Sequence, residues 1–161
     1  MKLVLISDSH DNPDAIELVR NAYPDADYLI HCGDSEVGRR WLEGYIAVMG
    51  NMDWYGDLPF EEELVIDGLR ILIKHGHDVT SGSFPDYREL ARYAKKNGYD
   101  VICFGHTHVY CDQVIDGIRL LNPGSVWRNR DGSPACYMVA EIENGEIRAE
   151  RKPLIDLFAE R

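Results

Sequence analysis

Short apolar runs separated by polar turns recur along the first part of the chain. Five of them predict β-strands, because they are short, contain β-branched residues and are bounded by polar positions. They cover 2–6, 27–31, 45–49, 69–74 and 101–104. Apolar residues at helical spacing predict helices at 13–22 and 85–97. A further short helix is expected at 36–42.

Three dipeptides of the Asp-Gly or Asn-Gly type indicate tight turns, and such dipeptides favour two-residue hairpin loops. They are Asp67-Gly68, Asp116-Gly117 and Asn144-Gly145. The strand pairs around them are 63–66 with 69–74, 114–115 with 118–121, and 135–142 with 146–152. The resulting order, β-α-β-α-β followed by hairpins and one more helix, predicts a mixed α/β sandwich with its helices outside.

Composition and charge narrow the class of protein. A chain of 161 residues fits one domain over 1–161, and 45% hydrophobic with 28% charged residues excludes overall disorder. The net charge of −11 disfavours long nucleic acids and anionic membranes as partners. With neither a membrane-length apolar run nor a signal peptide, we expect a cytoplasmic protein. Its four cysteines are then expected to be reduced core thiols.

Each of the five predicted strands ends in residues that can bind a metal ion. The motifs are Asp8-Ser9-His10, Gly33-Asp34, Gly50-Asn51, His75-Gly76-His77 and Gly105-His106-Thr107-His108. Each motif alone is common in loops, but together they contain five of the six histidines. Because ligands bind beyond the carboxyl ends of strands, we expect these motifs to converge on one crevice. In an extended segment His106 and His108 point to the same side, where they could serve one ion or two neighbouring ions.

The mixture of side chains indicates which metals the crevice would take. Two carboxylates, an amide oxygen and several imidazoles suit Mn²⁺, Fe or Zn²⁺ better than Ca²⁺ or Mg²⁺. This is too large a set for one tetrahedral ion, whereas two ions sharing a bridging carboxylate would have about four ligands each. Two ions roughly 4 Å apart stabilise phosphoryl transfer. Two such ions beside Asp8 and Asp34 would also give an acidic protein a local positive centre that attracts an anionic substrate.

Taken in order, the five motifs resemble those of the calcineurin-like metallophosphoesterases. The short chain, the His-Gly-His form and the later turn 122–125 (NPGS) look like the small phosphodiesterases of bacteria and archaea. The resemblance implies a four-layer αββα sandwich of mixed sheets flanked by helices. It also implies a phosphodiesterase that hydrolyses small phosphate esters by attack of a metal-activated water or hydroxide on phosphorus.

The resemblance further implies two divalent ions, in the first place Mn²⁺, with Zn²⁺, Fe²⁺ and Ni²⁺ as alternatives. The ligands of the first ion would be Asp8, His10, Asp34 and His108. Those of the second would be Asp34, Asn51, His75 and His106, so that Asp34 bridges. His77 matches no ligand of the family and is left as a group beside the ligands, a substrate contact or a proton donor.

One position departs from the family pattern. Met52 stands where many members have a histidine, and a thioether cannot donate a proton to the leaving oxygen. Asp53 and His77 are the candidate proton donors, unless the metal ions alone stabilise the leaving group. Arg128 and Arg130, which follow the NPGS turn, could contact a phosphate or lie in a solvated loop. No other substrate-binding residue is assigned, and His31 is expected to be buried beside the site.

Three other functions compete with the phosphodiesterase. A phosphomonoesterase would need a closed cleft, whereas an exposed cleft suits diesters. A nuclease is a second alternative. The negative net charge disfavours long nucleic acids as substrates but does not exclude short nucleotides. A subunit of the eukaryotic retromer has the same fold and serves as a protein-binding scaffold, but its kind lacks part of the ligand set that is complete here. The family often forms dimers, so the resemblance also allows a homodimer.

Overall fold

The computed structural model describes residues 1–53, 57–79 and 86–158. In one sheet and its flanking segments the elements are β1 (Lys2–Ile6), α1 (Pro13–Ala22), β2 (Tyr28–His31), a 3-10 turn (Arg39–Leu42), β3 (Tyr45–Ala47), β9 (Cys136–Glu143), β10 (Glu146–Pro153) and α3 (Ile155–Phe158). The other part of the chain forms β4 (Glu61–Ile66), β5 (Leu69–Lys74), α2 (Tyr87–Lys96), β6 (Val101–Cys103), β7 (Cys111–Ile115) and β8 (Ile118–Asn122).

These strands form two five-stranded mixed sheets. The first has the order β10-β9-β1-β2-β3, in which β1, β2 and β3 are parallel. The second has the order β4-β5-β6-β8-β7, in which β5, β6 and β8 are parallel. In each sheet the carboxyl ends of the parallel strands therefore lie at one edge, where loops can bring ligands together.

Three apolar clusters fill the spaces between four layers. The first lies between the two sheets and joins residues such as Leu5 of β1 and Ile73 of β5. The second packs Ile16 of α1 against β1, and the third packs Leu90 of α2 against Ile102 of β6. The order helix, sheet, sheet, helix confirms the αββα sandwich that the resemblance implies.

Several predicted boundaries differ from the observed ones. The short helix expected at 36–42 is wrong, because only a 3-10 turn forms at Arg39–Leu42. Glu36 has a left-handed φ of 54° and Gly38 is extended, so neither can continue a helix into that turn. The helix expected at 85–97 begins at Tyr87 with Asp86 as its N-cap, and residue 85 lies outside the described residues.

The strands and the chain end show smaller differences. β7 is longer than the expected 114–115, and the sequence pattern did not indicate α3. The expected core thiols are confirmed, because Cys32, Cys103, Cys111 and Cys136 are all free and buried. Among the described residues no helix has both the length and the apolar character needed to cross a membrane.

Candidate metal centre

The polar loops that follow β1, β2, β3, β5 and β6 meet at one edge of the sandwich. They bring together all seven side chains for which the sequence predicts a ligand role. These are Asp8, His10, Asp34, Asn51, His75, His106 and His108. The two carboxylates are buried, whereas Asn51 is exposed, so the centre opens from the sandwich interior toward solvent.

The first group of ligand atoms consists of Asp8, His10 and His108. The Nε2 atoms of the two histidines lie only 3.1 Å apart. Asp8 Oδ1 lies 3.3 Å from Nε2 of His108 and 3.9 Å from Nε2 of His10. This oxygen is fully buried and has no hydrogen-bond partner among the described residues, which is costly unless a cation binds there. The three atoms therefore fit a divalent ion.

The second group consists of Asp8, Asp34 and His75. Nε2 of His75 lies 3.2 Å from Asp34 Oδ2 and 3.8 Å from Asp8 Oδ1. Asn51 adds its amide oxygen, which lies 3.0 Å from Nε2 of His75 and 3.2 Å from Nδ1 of His106. These oxygen and nitrogen donors are of the kind that Mn²⁺, Fe²⁺ and Zn²⁺ accept.

The two groups share a different carboxylate from the one that the resemblance implies. Asp8 is the carboxylate common to both groups, whereas Asp34 occurs in the second only. That Asp34 bridges the ions stays a prediction. The expectation of an extended segment at His106 and His108 is wrong, because their φ angles are 72° and 56°. The left-handed backbone turns His108 toward the first group and His106 toward Asn51.

The electrostatics of the centre favour added positive charge. Burial alone would raise the pKa of the Asp8 carboxyl, but the neighbouring His75 and His108 outweigh burial and lower it. Burial alone would lower the pKa of His75, but the nearby Asp8 and Asp34 outweigh burial and raise it. The two shifts are mutual, because the imidazoles stabilise the carboxylate and the carboxylates stabilise a charged imidazole. A divalent ion bound here would supply positive charge to the same two carboxylates.

The glycine that precedes each of two predicted ligands, Asn51 and His106, is required by close packing. A Cβ on Gly50 would lie 2.1 Å from Asp34 Oδ1, and one on Gly105 would lie 2.1 Å from the Ser7 hydroxyl. Contacts this short would displace the ligand loops. The Gly-Asn and Gly-His motifs are therefore consequences of strand-end loops that touch each other.

Comparison with known proteins agrees with a metal centre at this position. A family model described as the calcineurin-like phosphoesterase superfamily domain matches residues 1–145. The chain belongs to this superfamily. A protein of Bacillus subtilis named a probable metallophosphoesterase is 35% identical over 147 residues, which cover 89% of this chain and 86% of that protein.

Two further relatives agree with this assignment. The protein of Escherichia coli K12 named phosphodiesterase YfcE is 30% identical over 166 residues, covering 85% of each chain. A crystal structure from Streptococcus pneumoniae, described as a predicted phosphoesterase, superposes with a TM-score of 0.87 at 27% identity. The superposition covers 96% of this chain and 90% of that chain. With its Asp and His groups, the protein is thus a metal-dependent phosphoesterase of the calcineurin-like superfamily.

In this calcineurin-like centre, three of the histidines predicted to be ligands make a second contact through Nδ1. His75 donates to the carbonyl of Cys32 at 2.7 Å, and His108 donates to the carbonyl of Arg128 at 2.8 Å. His10 Nδ1 lies 3.0 Å from Glu36 Oε2. Such partners fix the orientation of the ring, so that Nε2 would be free to bind a metal ion. Glu36 was not predicted as a site residue, because its only signal in the sequence is an acidic residue two positions after Asp34.

Asp53, one of the two candidate proton donors, supports the ligand loops, and its role as a donor stays a prediction. Its two carboxylate oxygens accept hydrogen bonds from the backbone N–H groups of Asp34 at 2.9 Å, Glu36 at 2.8 Å and Gly50 at 2.7 Å. Both carboxylate oxygens of Asp53 are therefore used to hold the backbone of the loops that carry Asp34 and Asn51.

The NPGS turn has a similar supporting function. The hydroxyl of Ser125 donates to the Asp8 carbonyl at 2.8 Å. The amide of Asn122 donates to the Gly105 carbonyl at 3.1 Å and to Thr107 Oγ1 at the same distance. The turn therefore fixes the loops of the first and the last ligand motif relative to each other.

Residues not used as ligands form the rim of the centre. The ring of His77 lies 5.4 Å from that of His75, and its buried Nδ1 has no hydrogen-bond partner among the described residues. Met52 is 40% exposed, and its backbone N–H binds Asp34 Oδ1 at 2.8 Å. Arg130 lies over the loop with its guanidinium 3.4 Å from the His106 carbonyl.

Proposed function

We propose that this protein is a phosphodiesterase with two divalent ions that hydrolyses small phosphate diesters. One observation carries the proposal. The buried Oδ1 of Asp8 has no hydrogen-bond partner in the part of the chain that the structure describes, and it faces the Nε2 atoms of His10, His75 and His108 at 3.3 to 3.9 Å. An acceptor surrounded by three imidazole nitrogens, with a second carboxylate beside it, is an arrangement that cations stabilise.

The ligand sets follow from the two groups. Asp8, His10 and His108 would hold one ion. Asp34, Asn51, His75 and His106 would hold the other, with Asp8 or Asp34 shared. Bound ions of this type neutralise phosphate charge and lower the pKa of water toward neutrality. The absence of a thiolate from the donor set supports Mn²⁺, with Fe²⁺, Zn²⁺ and Ni²⁺ as alternatives.

The residues of the chain itself account for binding and orientation. Glu36 and the carbonyls of Cys32 and Arg128 hold the imidazoles, so that the ligand atoms need little rearrangement when substrate binds. His77 lies beside the second group, where it could contact a bound ester. Met52 cannot donate a proton, which favours esters whose leaving group departs as a stable anion.

The open rim supports diesters over monoesters as substrates. Asn51, Met52 and Arg130 are all exposed, so among the described residues the second substituent of a diester meets no enclosing wall. A phosphomonoesterase is the second candidate, and the ratio of the two activities distinguishes them.

The test is hydrolysis of bis(p-nitrophenyl) phosphate and p-nitrophenyl phosphate after chelation and again with Mn²⁺ restored. We expect Mn²⁺-dependent turnover that is faster on the diester, with two ions per chain by elemental analysis. Asp34→Asn should remove nearly all activity and at least one ion. Asp25→Asn is the matched control, because Asp25 is an exposed carboxylate paired with Lys2. Turnover that persists in Asp34→Asn, or that needs no metal, would contradict the proposal.

A further inference from the structure

A large aromatic side chain stands exposed beside the first ligand group. Trp127 is 52% exposed. Its ring centroid nevertheless lies 5.2 Å from that of His10 and 6.3 Å from that of His108, both in edge-to-face geometry. Core packing does not account for the indole, because its neighbours Val126 and Asn129 are buried while half of its own surface is open.

The backbone holds Trp127 firmly in this exposed position. Its N–H donates to the Ser125 hydroxyl at 3.0 Å, and that hydroxyl donates to the carbonyl of Asp8. On either side, the N–H of Val126 donates to the Ser7 carbonyl at 3.2 Å, and the Arg128 carbonyl accepts from His108. The segment that presents the indole is thus anchored to the same two loops that supply Asp8 and His108.

A rigid, exposed indole beside a phosphate-binding centre has a specific use. Aromatic side chains bind planar rings by stacking, at low cost in conformational entropy because few torsions must be fixed. An alkyl substituent gains less from the same surface. A phosphoester whose phosphorus lies at the ligand groups would direct one organic substituent toward Trp127.

We propose that Trp127 is a substrate-binding platform that stacks on a planar aromatic group carried by the phosphoester. The proposal rests on the proposed function, since the phosphate must bind at the metal centre. The aromatic group could be the base of a nucleotide or a simple aryl ring, and both share the chemistry that the indole recognises.

Equilibrium binding to the Mn²⁺-loaded protein, measured by calorimetry, tests this without relying on turnover. Two matched pairs of ligands differ only in the aromatic group. Adenosine 5′-monophosphate is compared with ribose 5-phosphate, and phenyl phosphate with cyclohexyl phosphate. We expect the aromatic member of at least one pair to bind about tenfold more tightly. Trp127→Ala should abolish that preference and Trp127→Phe should retain most of it.

Intrinsic fluorescence provides an independent measurement. Binding of the preferred aromatic ligand should quench emission in the wild type and in Trp41→Phe, which removes a different, partly buried indole. The same quenching should be missing from Trp127→Phe.

Each outcome decides between the two proposals. A preference in the nucleotide pair identifies a nucleobase, and one in the aryl pair alone identifies a simple aryl ester. Equal affinity within both pairs, or a preference that survives Trp127→Ala, overturns the platform while leaving the metal centre intact. If none of the four ligands binds, the platform is overturned, whereas the proposed function is decided separately by the turnover of the diester.

Discussion

Protonation of His31 should destabilise the fold at mildly acidic pH. His31 ends β2 and is fully buried. Its Nδ1 accepts a hydrogen bond from the Gly33 N–H at 3.1 Å, so the ring proton is on Nε2, which lies 2.9 Å from the Ser9 hydroxyl. The neutral ring thereby joins the loop of Asp8 and His10 to the loop of Asp34. A second ring proton would point at the N–H of Gly33.

The size of the effect follows from the pKa of His31. Burial lowers this pKa from 6.5 to about 4. His31 takes up a proton near pH 6.5 in the unfolded chain but only near pH 4 in the folded chain. The stabilisation that its neutral ring gives to the fold is therefore complete above pH 6.5 and is lost as the pH falls from 6.5 to 4. At 1.36 kcal/mol per pH unit the whole interval corresponds to about 3 kcal/mol, of which about 2 kcal/mol is lost by pH 5.

Urea unfolding at about pH 7.5 and pH 5, with a chelator present, measures this loss. Wild type is compared with His31→Gln, whose amide cannot be protonated, and with His31→Asn as a second variant. Both variants should be less stable at pH 7.5 but should lose about 2 kcal/mol less than wild type on acidification. If the free energy of unfolding falls equally in wild type and variants, then the pKa of His31 is not lowered in the folded protein and the reasoning is wrong.

Three further substitutions probe the metal centre. In Gly50→Ala the new Cβ would lie 2.1 Å from Asp34 Oδ1. We therefore expect kcat to fall about 100-fold while the circular dichroism spectrum stays native. Turnover equal to wild type would show that the loops relax around the added methyl group. Glu36→Gln removes the charge beside His10 and should weaken metal binding about 10-fold to 100-fold in competition with a chelating dye. Unchanged affinity would mean that Glu36 does not orient the ring. Met52→His should keep the metal content and change the diester-to-monoester ratio, whereas loss of metal would mean that residue 52 is misplaced.

The convergence of the ligand residues could be predicted from the sequence, because the strand pattern places the residues that follow each strand at one edge of a sheet. Asp8, Asp34 and His75 each follow a buried strand within a few residues, and parallel strands bring such positions to one edge whatever the loops do in detail. The carboxyl-end rule therefore predicts convergence without coordinates. The glycine that precedes Asp34, Asn51 or His106 also indicates a tight loop close to the end of a strand.

The details of the loops could not be predicted in this way. Asp8, Asp34 and His108 all have left-handed φ angles, which are uncommon for residues other than glycine. Neither strand periodicity nor helical spacing carries information about such angles, and for this reason the extended geometry expected at His106 and His108 was wrong. The contact of Glu36 with His10 was not predicted for a related reason. The left-handed backbone of Glu36 interrupts the helical pattern expected there, and it turns the carboxylate toward His10.

The strained loops of the centre are held by polar side chains, some from the same loop and some from other loops. Asp53 binds three backbone N–H groups near Asp34, Ser125 binds the carbonyl of Asp8, and His31 binds the N–H of Gly33. Each of these contacts satisfies a backbone group that a left-handed or tightly turned loop removes from regular pairing. The loops are therefore stabilised by one another rather than by the strands alone. It follows that the ligand positions are largely fixed before a metal ion binds, and that loss of any one supporting residue should disturb ligands on more than one strand.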